Sequence, residues 1–529
     1  MVNRRSFFQE TIGALLVYPI LQACKRTMHR IVVQLTGTKY ILGHRLWSKD
    51  FPKPSIIEKA KIVIVGGGIS GLSAARALHQ KGVDDFILLE LDAHIGGNAS
   101  NGENQYSKYP RGAHYLPLPN AEDKELIRFL EEEKIIVGYN NGTPQFDAFQ
   151  LSFPPQERLF YRGAWQEDLV PKSNTDTASM KEFERFFRMM NDFKVRKDTE
   201  EKFWFNLPIV EASRSEEVLL LDNYTMREWL EGNRFGAEEL FWYIDYCCRD
   251  DYGLGIDLIS AWAGIHYFSA RKQNYAQQYK NDVLTWPEGN ARLAHLLEKY
   301  SINKTQKNCI VFDVQAQMND MVSLSVFDAK NNISKIIQAE KVIMATPQYI
   351  NQYLLANRKK IASKFVYAPW IVAAITLNMN LDGDSFPLAW DNVIYGSQGL
   401  GYVYNQQQSI GQINDWKVVS YYLPFSDRDV VRSRQKLYRE NEDYWKATII
   451  KDLSTAHPTI ENYIEAIEIF RLGHGMISPV KGFITSQEKM DAQKNIANKI
   501  FFAHTDLSGI SVFEEGFHQG IRAVNEMLG

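Results

Sequence analysis

Cysteine is scarce in this 529-residue chain, with four in all: Cys24, Cys247, Cys248 and Cys309. Their number and spacing exclude a disulfide framework and a spaced zinc pattern, and no metal site is expected. Cys247 and Cys248 are sequence neighbours in an aromatic-rich helical stretch, where a disulfide would be strained, so they read as buried thiols. A charge excess of one sign is lacking too, since 60 basic and 63 acidic residues leave a formal net charge of −3. Nothing global attracts nucleic acid or an anionic membrane, and nucleic acid is excluded as a partner. Long apolar runs are also missing. The N-terminal run from Thr11 to Ala23 falls short of the ~20 residues a membrane-spanning helix needs. What is abundant is core material: 45% of residues are hydrophobic, including 11 Trp, 26 Tyr and 29 Phe, enough for a large interior. Such aromatic content suits a flat ligand or an ordinary core equally.

The strongest local signal begins near Glu58, after a spacer marked by Pro52 and Pro54. Lys61-Ile62-Val63-Ile64-Val65 is a continuous β-branched run, as expected of a strand covered on both faces of a parallel sheet. Gly66-Gly67-Gly68-Ile69-Ser70-Gly71 follows, then a helical stretch from Leu72 to Lys81. In this context Gly66 permits the tight turn, Gly68 lets a pyrophosphate reach the backbone, and Gly71 allows close helix-to-strand packing. The helix N-terminus offers free amides and a positive dipole end, with the Ser70 hydroxyl as an added donor. A second apolar strand, Phe86 to Leu89, ends in Glu90, 19 residues beyond Gly71, where a carboxylate can accept from ribose hydroxyls. This βαβ unit points to a dinucleotide.

Glu90-Leu91-Asp92-Ala93-His94-Ile95-Gly96-Gly97-Asn98 resembles the extended motif of FAD enzymes, whose Gly-Gly pair wraps the pyrophosphate. Further blocks are similar, in order, to the FAD-dependent amine oxidase, phytoene desaturase and protoporphyrinogen oxidase superfamily. Arg111-Gly112-Ala113-His114-Tyr115 matches the segment passing the flavin ring, and Trp286-Pro287-Glu288-Gly289-Asn290 looks like the family's turn and helix. Ile310-Val311-Phe312 and Val342 to Pro347 resemble its later strands, and Ile500 to Asp506 with Glu515-Gly516-Phe517-His518 its C-terminal motif. The resemblance implies FAD as cofactor, held by Gly66, Gly68, Ser70, Gly71, Glu90, Gly96, Gly97, Asn98, Gly112, Ala113, His114, Val311, Asp506 and Phe517. Asn98 and His504 depart from it, standing where the family usually has arginine and glycine.

The implied fold is α/β, a Rossmann-like FAD-binding domain with a discontinuous α+β substrate domain, the amine-oxidase-like two-domain fold. Residues 1–24 are assigned to an export signal and 25–57 to a linker. Residues 58–140, 280–350 and 470–529 are assigned to the FAD domain, and 141–279 and 351–469 to the substrate domain. Phe183, Phe186, Phe187 and Met190 follow helical spacing as core, and Thr225-Met226-Arg227-Glu228 is a capping box. The chemistry implied is hydride removal from a small-molecule C–H, an amine or similarly activated donor, to flavin N5, with oxygen, a quinone or a carrier protein left open as electron acceptor. The family's amine oxidases carry a lysine near the flavin; its counterpart here, Tyr367 to Ala374, has none. This keeps open a desaturase or isomerase of a hydrophobic substrate, and a flavin-binding envelope protein without turnover. His474, flanked by Gly473 and Gly475, is the candidate catalytic residue, with a backbone-satisfied turn histidine as the alternative. His114, Trp286 and Tyr402 are weaker candidates, and Asp250-Asp251 read as a solvated helix end or cap.

At the N-terminus, Asn3-Arg4-Arg5-Ser6-Phe7-Phe8 ahead of the Thr11–Ala23 run resembles a twin-arginine signal. This implies the twin-arginine export machinery as partner and a periplasmic or envelope location. Leu21-Gln22-Ala23-Cys24 is similar to a lipobox; a lipidated Cys24 would anchor the chain to a membrane surface, and an ordinary cysteine is the alternative. Export of an already folded chain suits an enzyme that takes up its flavin before leaving.

Overall fold

The computed structural model describes residues 30–172, 176–272, 279, 282–317, 320–409 and 415–529. The signal reading, including Cys24, lies outside these residues. A seven-stranded sheet is built around Ile56–Val65, which pairs in parallel with Phe86–Leu89 on one side and Ile333–Met344 on the other. Successive strand residues point to opposite faces, and here both faces are covered. Ile62 and Ile64 pack with Leu72, Leu78, Leu293 and Phe517, whereas Val63 and Val65 pack with Val311, Val326 and Met344. Helices Ile69–Gln80, Ala291–Glu298 and Phe513–Leu528 lie together on the first face.

The second sheet has eight strands, in the order Val32–Gly37, Ile464–Ile477, Tyr367–Leu377, Lys417–Pro424, Tyr402–Tyr404, Asp391–Ile394, Glu157–Tyr161 and Ala164–Glu167. Tyr367–Leu377 is buried at every position. Helices Thr177–Val195, Glu238–Tyr252 and Ala261–Ser269 form a separate helical layer, whose core holds Phe183, Phe186 and Met190 with Leu240, Ile244 and Ile265. The capping box is present: the Thr225 side chain accepts from the Glu228 N–H, and the Glu228 carboxylate from the Thr225 N–H. The chain therefore combines a Rossmann-like dinucleotide domain with a discontinuous α+β domain.

The structure departs from the expected boundaries in three places. Within 25–57, expected as a linker, Val32–Gly37 is a strand and Tyr40–Ser48 a helix. That strand runs parallel to Ile464–Ile477, with Val32 opposite Ala466 and Gly37 opposite Arg471. Its apolar β-branched start is strand-like, but its partner lies more than 400 residues away. The first strand of the nucleotide sheet begins at Ile56. Ile464–Ile477 crosses the assumed boundary at 470, so its whole length belongs to the eight-stranded sheet. Among the described residues, no helix is long and apolar enough to cross a membrane, and no group of His, Cys, Asp or Glu could hold a metal.

Candidate functional site

The strand Ile56–Val65 ends in a turn that only glycine fits. Gly66 has φ +108°, and a methyl group there would lie 2.6 Å from the Ala345 carbonyl oxygen. At Gly71 it would come within 1.9 Å of the Gly66 carbonyl oxygen, yet at Gly68 it would meet nothing within 4 Å. Gly68 thus borders open space. The opposite wall is Gly96-Gly97: the Gly96 N–H donates to the Gly67 carbonyl at 2.9 Å, and Gly68 and Gly96 form a parallel bridge. Helix Ile69–Gln80 starts at Gly68 with no side-chain cap, leaving first-turn amides, including that of Ser70, to a bound anion.

Glu90 stands beside this cradle. One carboxylate oxygen accepts the Gly67 N–H and the other the Asp92 N–H, each at 2.7 Å. Burial pushes the Glu90 carboxyl up to about 7, against the pull of these two amides. Each oxygen keeps a lone pair free for a ribose hydroxyl. An uncapped helix start, two glycine walls around open space and an acceptor beside them fit a dinucleotide pyrophosphate and ribose.

From Gly97 the chain leads into an open cavity of about 130 Å³ between the two sheets, whose lining includes Asn98, Gly112, Ala113, His114, Asp250 and Asp251. Asn98 spends its amide within the protein, donating to the Gly475 carbonyl. Gly112 is required because a methyl group there would sit 2.1 Å from the Asn98 carbonyl oxygen. The turn at Gly289, φ +62°, buttresses this segment through the Asn290 N–H, which donates to the Ala113 carbonyl at 3.0 Å. His114 packs between Tyr115 and Tyr422, at 4.8 and 4.7 Å between ring centroids, and burial pushes its imidazole down to about 3, so it is neutral. The Asn290 carboxamide oxygen is buried at the cavity with no partner, an acceptor open to a bound group.

Four sequence-derived site residues lie elsewhere. His474 is stacked on Tyr349 at 3.9 Å with rings 11° apart, and burial pushes it down to about 3. The cause is a bulge: Ala368 pairs with Met476 and Trp370 with Leu472, so the strand carries extra residues here. Leu472, Gly475 and Met476 face the cavity while the imidazole does not. Asp506 is 1% exposed, and one of its oxygens accepts both the Gln348 N–H and the Tyr367 hydroxyl, so it braces these two segments inside the protein. Phe517 is fully buried against Phe129 and Phe513. Val311 is also core, in the strand Cys309–Ala316 whose first N–H bonds to the Glu90 carbonyl. Of the weaker candidates, Trp286 donates to Gln150, and Tyr402 joins buried Arg158 and His457.

Asp250 and Asp251, expected as a solvated helix end, face the cavity from helix Glu238–Tyr252. Burial raises both carboxyls; their mutual repulsion adds to it at Asp250, and Arg271 opposes it. Arg271 itself pairs with Glu514 at 3.2 Å. No local pattern marks Asp-Asp after an aromatic helix as buried, because its cover comes from remote strands. No lysine is among the described residues that line this cavity.

A parallel-sheet cradle that leads into a cavity roofed by a second mixed sheet defines the amine-oxidase-like two-domain flavoprotein fold. Comparisons agree. Residues 64–132 match the family described as NAD(P)-binding Rossmann-like domain. The chain is 32% identical over 119 residues to a flavin-containing amine oxidase of Oncorhynchus mykiss, covering 20% of this chain and 22% of that protein. The match thus spans about a fifth of that relative's length. Putrescine oxidase solved with putrescine bound superposes with a TM-score of 0.64 at 14% identity, over 89% of this chain and 99% of the other. A CLA-producing fatty acid isomerase from P. acnes gives 0.63 at 14% identity, over 88% and 98%.

Proposed function

We propose that this protein is an FAD-dependent oxidoreductase that takes hydride from the C–H next to an amine nitrogen, or from a similarly activated donor. The observation that carries the reading is the continuity of Gly96, Gly97 and Asn98 from the cradle into a cavity lined by Asp250 and Asp251. The likeness to putrescine oxidase supports an amine as donor. In this reading Gly66, Gly68, Ser70, Gly71, Glu90, Gly96 and Gly97 hold the ADP portion, and Asn98, Gly112, Ala113 and His114 border the ring. FAD, when bound, supplies the hydride acceptor.

The chain's own contribution is position and dryness. Trp370, Val372, Leu472 and Met476 form an apolar wall that excludes water around the reacting carbon. Neutral His114 adds no positive charge that would oppose loss of hydride. The neutral amine loses two electrons and one hydrogen as hydride, the nitrogen lone pair forms the C=N bond of an iminium ion, and water then hydrolyses that iminium to a carbonyl compound and an ammonium ion.

The test is an anoxic titration of the purified flavoprotein with amines while its visible spectrum is followed. Bleaching by an amine supports the reading. A flavin that no amine reduces would overturn the amine as donor in favour of desaturase or isomerase chemistry, which the apolar wall and the absence of a cavity lysine favour, or of a flavin-binding protein without turnover. Reoxidation by oxygen, a quinone or a carrier protein identifies the acceptor. We further propose export through the Arg4-Arg5 signal, with lipid attachment at Cys24. Fractionation tests both: export fails if the protein stays in the cytoplasm, and the anchor fails if Cys24→Ala leaves the envelope fraction unchanged.

A further inference from the structure

We propose that helices Tyr40–Ser48 and Val430–Arg439 together form a face that seats the protein on an anionic lipid bilayer. This goes beyond the oxidation chemistry and deepens the envelope reading, and it needs no lipid on Cys24.

The first argument is apolar exposure. Ile41 and Trp47 are 72% and 61% exposed, and among the described residues Trp47 is the only exposed tryptophan. A scattered exposed apolar side chain is ordinary. These two are not scattered: with His44 they recur every three residues on helix Tyr40–Ser48, so they share its outer side, away from buried Leu46. The His44 ring stacks on Trp47 at 4.0 Å and holds the indole at the surface. An indole, with an apolar body and a polar N–H, suits the boundary between lipid and water.

The second argument is charge. The whole chain carries a formal −3, yet helix Val430–Arg439 has Arg432, Arg434, Lys436 and Arg439 with no acidic residue. Residues 30–51 carry Arg30, Lys39, Arg45 and Lys49 against Asp50 alone. Asp427 and Asp429, just before the second helix, bind the Ser433 hydroxyl and the Arg432 N–H. Arg434 turns inward to the Gly473 and Tyr367 carbonyls, whereas Arg432 and Arg439 are exposed on the side away from buried Ser433 and Leu437. The two helices are neighbours: Tyr40 packs on Tyr438 at 4.5 Å, and the Arg471 guanidinium lies over both rings. Basic side chains beside an exposed indole complement an anionic lipid surface. A second copy seated on the same face would bring like charges together.

The third argument is reach. Arg30 lies six positions beyond Cys24, a span of at most ~20 Å. Strand Val32–Gly37 then leads through Thr38 and Lys39 directly into helix Tyr40–Ser48. An anchor at Cys24 would therefore hold this edge of the protein near the bilayer, and the basic, indole-bearing face would be the second signal that a stable membrane attachment requires.

The experiment is co-sedimentation of the FAD-loaded full chain carrying Cys24→Ala with vesicles of phosphatidylcholine, alone or mixed with phosphatidylglycerol. Binding should be at least ~10-fold tighter to the anionic vesicles and should weaken with added salt. In the same background, Ile41→Ser with Trp47→Ser, and separately Arg432→Glu with Arg439→Glu, should each weaken it ~10-fold, with flavin absorbance and Tm unchanged. Residues 1–29 are identical in all these chains, so the difference reads the face alone. Variants that bind like their parent, or equal binding to both vesicles, would overturn the proposal. Self-association that Trp47→Ser abolishes, without vesicle binding, would overturn it too and make the face an interface between copies. Failure of the Cys24 anchor in fractionation leaves a positive vesicle result standing, and failure here leaves the anchor standing.

Discussion

Alanine at Gly68 and alanine at Gly71 should have opposite signatures, although the two glycines belong to one motif. A methyl group on Gly71 would lie 1.9 Å from the Gly66 carbonyl oxygen and 3.1 Å from its carbon. Both atoms are backbone, so no side chain can swing aside; the turn and helix must part, at ~1–3 kcal/mol by the usual cost of overpacking. Gly68 has φ −75°, which alanine adopts freely, and its methyl group would meet no protein atom within 4 Å. Lower unfolded-state entropy favours the alanine by ~0.4–1 kcal/mol, and the poorer helix cap opposes it by a similar ~1 kcal/mol. Apoprotein stability should therefore stay within ~1 kcal/mol. The methyl group does occupy the space where the pyrophosphate meets backbone, so FAD affinity should fall at least ~10-fold, or ~1.4 kcal/mol. Thermal unfolding of both apoproteins, with FAD titration followed by fluorescence, separates the two. Gly68→Ala with unchanged FAD affinity, or with a stability loss equal to that of Gly71→Ala, would refute this account of the cradle.

His474→Phe should leave turnover within ~3-fold, because the ring only stacks on Tyr349; a ~100-fold loss of kcat would return His474 to the chemistry. Glu90→Gln turns an NH₂ group towards one of two backbone N–H donors, at ~1–3 kcal/mol for the unmet group, so FAD should bind ~10–100-fold more weakly, readable by dialysis. Asp250 and Asp251 bind protons more tightly when folded than unfolded. The folded state then holds more protons, and their contribution to stability declines as pH rises from the ordinary carboxyl value of ~4 towards neutrality. Asp250→Asn should accordingly raise the apoprotein Tm more at pH 8 than at pH 5, and an equal shift at both would exclude a raised carboxyl.

The nucleotide half was legible because its signals are local. Ile62 to Val65 had to be covered on both faces by their composition, and Gly66 by its positive φ and Gly71 by close packing admit no side chain. The same holds for Gly96-Gly97, for the Thr225 box and for the Phe183 stripe, since a turn, a cap and a helical face each depend on neighbours a few residues apart. The substrate half was legible only as strands and helices. Its cavity draws residues from Asn98 to Glu514, and nothing in the interval between them records that they meet.

What the sequence determined by itself is the dinucleotide cradle, through backbone conformations and β-branched runs set within short segments. Tertiary structure alone decided which polar groups are buried. The bulge opposite Ala368–Trp370 turned His474 away, the Gln348 amide and Tyr367 hydroxyl claimed Asp506, and packing against the roofing strands placed Asp250 and Asp251 on the cavity wall. Val32–Gly37 became a strand only because Ile464–Ile477 offered it an edge. Burial and pairing depend on atoms contributed from distant parts of the chain, and a charge or a hydrogen bond takes its meaning from those atoms rather than from its neighbours in sequence.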